Sequence, residues 1–185
     1  MAETRLCSEV RSSTWLIAWP GRWYDLPAVP AELEFSPRRQ YLEPTQAAGL
    51  ALLQRGITGP VVMLNLLRFR AVADYAATPS LAPVVPISGA EAFARYVTHT
   101  LPLLRASGGD LVFLGAGNGF LIGPEDERWD QAMLVRQHSV TAFLAFAADE
   151  VYLAGLGHRT AAVEDSRLLP LVELPVPNAL AVSHQ

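Results

Sequence analysis

Apolar positions along the chain fall into short blocks whose spacing predicts strands alternating with helices. Val61-Val62-Met63-Leu64-Asn65-Leu66-Leu67-Arg68-Phe69 is almost unbroken in apolar side chains and of strand length, which predicts a central strand covered on both faces. Ser88-Gly89-Ala90-Glu91 has the form of a capping box. Behind it Ala90, Phe93, Ala94, Val97, Leu101 and Leu104 keep helical spacing until Gly108-Gly109, with Pro102 expected to bend the last turn. Ahead of the strand, a short helix is expected from Pro44 at a first helical position, Ala47, Leu50 and Leu53 on one face, and Gly56 at the end.

Between these elements, residues 71 to 87 carry Pro79, Pro83 and Pro86 without any period, the mark of a long loop that could serve as a lid. Asp110 to Gly115 and Gly119 to Gly123 read as two short strands joined at Ala116-Gly117-Asn118, and Gln131 to Gln137 as another strand. Ser139 caps a helix bearing Val140, Phe143 and Phe146, and Asp149 caps a further turn or two through Leu156. Leu168 to Leu174 is read as a final strand, placed at a sheet edge by Pro170. The order strand, helix, strand or hairpin, strand, helix, strand is that of an α+β, ferredoxin-like antiparallel sheet with helices on one face. The other face then needs a cover, and a second copy of the chain would provide it.

Two flanking segments fall outside this core of residues 41 to 175. Residues 1 to 40 are rich in proline and carry Trp15, Trp19 and Trp23, expected to dock as an ordered arm, and residues 176 to 185 read as a tail.

Composition narrows the chemistry. Of 185 residues, 51% are hydrophobic, enough for a sizeable core, and the net charge of -4 argues against nucleic-acid partners or an anionic membrane surface. All 14 basic residues are arginine, which excludes Schiff-base or phosphate-loop lysine chemistry. Cys7 stands alone, and His99, His138, His158 and His184 have no metal-ligand spacing, so neither a metal nor an organic cofactor is expected. The longest early apolar run, Trp15 to Trp19, stops at Pro20, and a soluble cytoplasmic protein with no membrane partner is expected. Gly115, Gly117 and Gly119 lack the helix and third glycine position of a nucleotide loop.

Three segments carry a resemblance. Gly59 to Phe69, Trp129-Asp130 with Leu134-Val135-Arg136, and Tyr152 followed by His158 to Leu168 closely resemble domain of unknown function 1330, over roughly residues 58 to 174. The resemblance implies a dimeric α/β barrel, two sheets packed face to face with small-molecule pockets beside each, and it implies no established reaction. This chain departs from relatives at Gln137-His138, where an aromatic and a proline are common, and at Phe113-Leu114-Gly115, where a tryptophan is frequent; both changes could retune a pocket.

Strand alternation puts Asn65 on the face of Met63 and Leu67, and Arg68 on the opposite face, where an ion pair with Glu164 or Asp165 is the alternative to a substrate contact. Arg136 and His138 share one face and could converge on an anion or an enolisable group. His158 and Arg159 diverge by about 100° if helical, so one of them would face a pocket. The catalytic candidates are thus His138, His158 and Arg136, and the substrate-binding candidates Asn65, Arg68, Tyr96, Arg159 and Asp165. A hydrolytic set of Asp165, Ser166 and His158 lacks a nucleophile turn and is disfavoured. Two functions fit. The leading one is a cofactor-independent isomerase, cyclase or oxygenase acting on an activated aromatic or polyketide-like metabolite, and the alternative is a non-catalytic homodimer that binds one.

Overall fold

The computed structural model describes residues 40–175, which lie in the larger of the chain's two units, Arg38–Gln185. The tryptophan-bearing arm and the tail expected from the sequence lie outside the described residues. The elements, in chain order, are α1 (Gln46–Gln54), β1 (Val61–Phe69), α2 (Gly89–Ala106), β2 (Asp110–Ala116), β3 (Gln131–Gln137), α3 (Val140–Ala147), α4 (Glu150–Ala162) and β4 (Val163–Leu171). A single 3-10 turn, Pro79–Leu81, interrupts the long loop after β1.

The four strands form one sheet in the order β2-β3-β1-β4, with every neighbouring pair antiparallel. This is the ferredoxin-like arrangement, an α+β fold. β1 is central and ladders with β3 on one side and β4 on the other, which explains why its sequence is apolar on both faces. Met63, Asn65 and Leu67 point toward the helices, and the core forms there from Leu67, Met133, Ala92, Phe93, Ala161 and Ala162. Leu64, Leu66, Leu134 and Leu169 stand on the opposite, outer face by register.

Local chemistry fixes the helix starts. The Ser88 hydroxyl accepts from Glu91 N–H while the Glu91 carboxylate accepts from Ser88 N–H, completing the capping box and holding the Glu91 carboxyl below its ordinary pKa. Ser139 and Asp149 cap α3 and α4 through the amides of Ala142 and Tyr152. Gly89 is required at the first position of α2, because a Cβ there would sit 2.5 Å from the carbonyl oxygens of both Ala162 and Arg70.

Four expectations shift. The first helix is capped by Thr45 and starts at Gln46, so Pro44 precedes it. Residues 119 to 123 form no strand; Gly119 makes an isolated bridge to Arg128, and the β2–β3 connection is a loop. α4 is a full 13-residue helix that runs through Gly155 and Gly157. Glycine lowers helix propensity, but here it admits close packing: the His99 ring of α2 lies over Gly155, and Thr78 and Leu81 lie over Gly157. β4 starts at Val163 instead of Leu168, because its charged residues pair within the fold. Pro170 does lie on an edge strand, and β4 borders β1 alone.

Candidate functional site

Between the sheet and the helices lies a cavity of about 450 Å³, a size that accommodates a drug-sized molecule. Its floor is built by alternate residues of three strands, Met63 and Asn65 of β1, Met133, Val135 and Gln137 of β3, and Ser166 and Leu168 of β4. Its roof is the inward face of α2, where Phe93, Tyr96, Thr100 and Leu104 recur at helical spacing, joined by Phe146 of α3 and by Tyr152 and Leu156 of α4. Aromatic rings run along this roof in contact, with Phe93 and Tyr96 centroids 5.3 Å apart, Tyr96 and Tyr152 6.3 Å apart, and Tyr152 and Phe146 4.5 Å apart. Tyr41 to Pro44 close one end.

A few polar groups interrupt the apolar lining. Gln137 is 2% exposed, and its side-chain oxygen has no hydrogen-bond partner. The Thr100 hydroxyl is buried beside the Tyr96 phenol without a well-formed bond of its own. The Tyr96 and Tyr152 hydroxyls are 3.3 Å apart, and burial, reinforced by Tyr152, pushes the Tyr96 phenol well above its ordinary pKa, so it is a neutral donor at any physiological pH. Asn65 turns its amide onto the Met63 carbonyl at 3.1 Å, leaving its side chain in the floor. Arg159 donates to the Leu42 carbonyl at 3.1 Å and to the Ser166 hydroxyl at 3.4 Å, and that hydroxyl in turn donates to the Tyr41 carbonyl at 2.6 Å.

Of the residues singled out from sequence, the structure brings Asn65, Tyr96 and Arg159 together around this cavity. The others stand elsewhere. Arg68 ion-pairs with Glu164 at 3.1 Å and Asp165 at 3.6 Å, on the face opposite Asn65. Asp165 is saturated within the protein, accepting from Tyr41 N–H, Ser166 N–H and the Arg167 guanidinium. Arg136 is on the outer face and pairs with Glu173, and His138 is exposed just beyond the strand end. The divergence of His158 from Arg159 holds, because both are inside α4: Arg159 turns to the cavity and His158 Nδ1 turns to the Tyr75 hydroxyl at 2.8 Å. Burial, then the charges of Arg95 and His99, hold the His158 imidazole below its ordinary pKa.

Sequence reasoning missed Thr100 and Tyr152 as lining residues. Both fall on the inward faces of their helices, but that face can be assigned only once the partner surface is known. Gln137 drew notice as a departure from relatives, and the alternation through Met133 and Val135 was the signal for its inward direction. Among the described residues no three or more His, Cys, Asp or Glu side chains cluster as a metal site, and no single helix is long and apolar enough to cross a membrane.

The fold has a close counterpart. A protein of unknown function from Rhodopseudomonas palustris, a structural genomics target, is 37% identical over 75% of this chain and 100% of its own length, with a TM-score of 0.65. This chain belongs to the same family as that protein. The methylated form of the Rhodopseudomonas palustris family member matches equally, at 37% identity, 75% of this chain, 98% of that one and a TM-score of 0.65. A DABB family protein with a ferredoxin-like fold from Mesorhizobium loti is similar at 12% identity over 64% of this chain and 100% of that one, with a TM-score of 0.38. No family model matches the chain, and no curated protein does.

Proposed function

We propose that this protein is a cytoplasmic homodimer that binds a small, largely apolar metabolite in the cavity between the sheet and the helices of each subunit. The observation that carries the reading is the chamber itself, about 450 Å³ between an aromatic roof and the strand floor, with the Arg159 guanidinium on its wall. Gln137 lines it too, with its side-chain oxygen unpartnered beside Gly109, and a buried acceptor left so costs about 1–3 kcal/mol that a ligand's donor would offset once the side chain turns into the chamber. Dimerisation through the outer sheet face is supported by its apolar character: Phe113 and Leu169 are each 53% exposed there, beside Leu64, Leu66 and Leu134. The resemblance of the β1, β3 and α4 segments to domain of unknown function 1330 supports placing the family there.

Turnover of the bound molecule is a second reading, favoured by one feature. The phenols of Tyr96 and Tyr152 and the Arg159 guanidinium lie on the same cavity and could stabilise an enolate or other oxyanion during cofactor-free isomerisation, cyclisation or oxygenation. Neither His138 nor His158 lines that cavity, so a histidine general base does not contribute there. Binding is therefore the better supported function.

Native mass spectrometry of the freshly purified protein tests both parts of the proposal. The expected result is a dimer carrying one retained small molecule per subunit, released on denaturation. A bare monomer whose organic extract contains no stoichiometric compound would overturn it.

A further inference from the structure

Resting on the cavity reading, we propose that the ligand is an elongated amphipathic monocarboxylate, its carboxylate held by Arg159 at the Tyr41–Pro44 end and a hydrogen-bond donor on its far end directed at Gln137.

Arg159 sets the charge of the chamber. Its side chain is only 17% exposed, yet among the described residues its one carboxylate contact is Glu43, 3.8 Å away and 65% exposed. Its hydrogen bonds go to a carbonyl and a hydroxyl, neither of which neutralises it. The nearby acids of β4 are committed elsewhere, with Glu164 and Asp165 on Arg68 and Asp165 also on Arg167. A largely buried guanidinium without a close counter-ion favours an anionic guest, and its planar fork matches a carboxylate. The phenols of Tyr96 and Tyr152 on the same wall can add donors. One arginine in a largely apolar chamber, with no second cation among the described lining residues, suits a singly charged carboxylate better than a phosphate dianion.

Strand register sets the length of the chamber. Ser166, which Arg159 touches, is opposite Leu67 in the β1–β4 ladder, whereas Gln137 is opposite Val61 in the β1–β3 ladder. Six residues of strand separate those two positions of β1, about 20 Å at 3.3 Å per residue. The polar groups thus sit toward opposite ends of an apolar channel, and the unpartnered acceptor at the Gln137 end, packed beside Gly109, gains an O–H or N–H donor when the side chain turns into the channel.

Calorimetric titration with four probes, dodecanoate, its methyl ester, 1-dodecanol and 12-hydroxydodecanoate, tests this on the full chain. Dodecanoate is expected to bind at least tenfold more tightly than the ester or the alcohol, and the hydroxy acid several-fold more tightly again. Arg159→Gln should remove the acid's advantage and leave the alcohol's affinity unchanged. Glu43→Gln, which removes the competing carboxylate at an exposed position, should strengthen acid binding, so a gain of affinity covers the case in which Arg159→Gln does not fold. Gln137→Met should erase only the gain from the terminal hydroxyl. Equal binding of acid, ester and alcohol would overturn the carboxylate assignment while leaving the cavity reading intact. No binding by any of the four would overturn the elongated-ligand assignment, whereas the cavity reading falls only with a bare protein in native mass spectrometry.

Discussion

Arg68 and Asp165 are opposite one another in the β1–β4 ladder, with guanidinium and carboxylate 3.6 Å apart and both side chains withdrawn from solvent. Asp165 also ties down the incoming chain through Tyr41 N–H and neutralises Arg167, whose guanidinium stacks 4.6 Å from the Tyr41 ring and 4.9 Å from that of Trp129. The pair therefore joins the central strand, the edge strand and the segment closing one end of the cavity. Asp165→Ala should destabilise the protein by about 2 to 3 kcal/mol, since it orphans the Tyr41 amide and leaves the buried Arg68 guanidinium with Glu164 alone. Urea unfolding monitored by circular dichroism measures it, and a loss below 1 kcal/mol would contradict the assignment.

The unpartnered Gln137 oxygen predicts an opposition between stability and binding. Gln137→Met keeps the side chain's length and removes the unsatisfied acceptor. The unliganded protein should gain about 1 kcal/mol of stability. Retention of the co-purifying molecule should fall, and thermal unfolding with and without extracted ligand reads both effects.

A charge placed on the outer sheet face should separate the subunits without unfolding them. Leu64 points away from the cavity, between Leu134 of β3 and Leu169 of β4. Leu64→Arg is expected to convert the dimer to a monomer in light scattering with an unchanged circular dichroism spectrum. A wild-type protein that is monomeric at micromolar concentration would rule out that interface.

His158 gives the stability a pH dependence of known sign. Burial, followed by Arg95 and His99, keeps its folded-state pKa below the ordinary 6.5. The unfolded chain accordingly binds more protons between the folded value and 6.5. The contribution is complete above about 6.5 and is lost as pH falls toward the folded pKa. His158→Gln should flatten the urea midpoint across that acidic window, and an unchanged slope would assign the pH dependence to other groups.

Much of the scaffold was legible because its determinants are local. β1, β3 and the capping box of α2 follow from unbroken apolar runs and from a serine three residues before a glutamate, and they lie where those patterns place them. The start of β4 was not legible. Val163-Glu164-Asp165-Ser166-Arg167 has the polarity of a loop, and it becomes strand because Arg68, 96 residues away from Glu164, neutralises it. α4 was underestimated for a related reason, since its glycines weaken the local helix signal while serving the packing against His99 and Thr78.

The sequence by itself determined most element types, the ferredoxin-like order, the placing of Asn65 on the face of Met63 and Leu67, and the divergence of His158 from Arg159, because periodicities of two and 3.6 are properties of the backbone. Only the tertiary structure decided which face is which. The same alternation that put Arg136 and His138 on one side of β3 turned Gln137 inward, and α2 and α4 had to cover that inward side before Gln137, Thr100, Tyr96, Tyr152 and Arg159 could surround one chamber. A strand's pattern gives relative sides, whereas the absolute side depends on which face the distant helices bury.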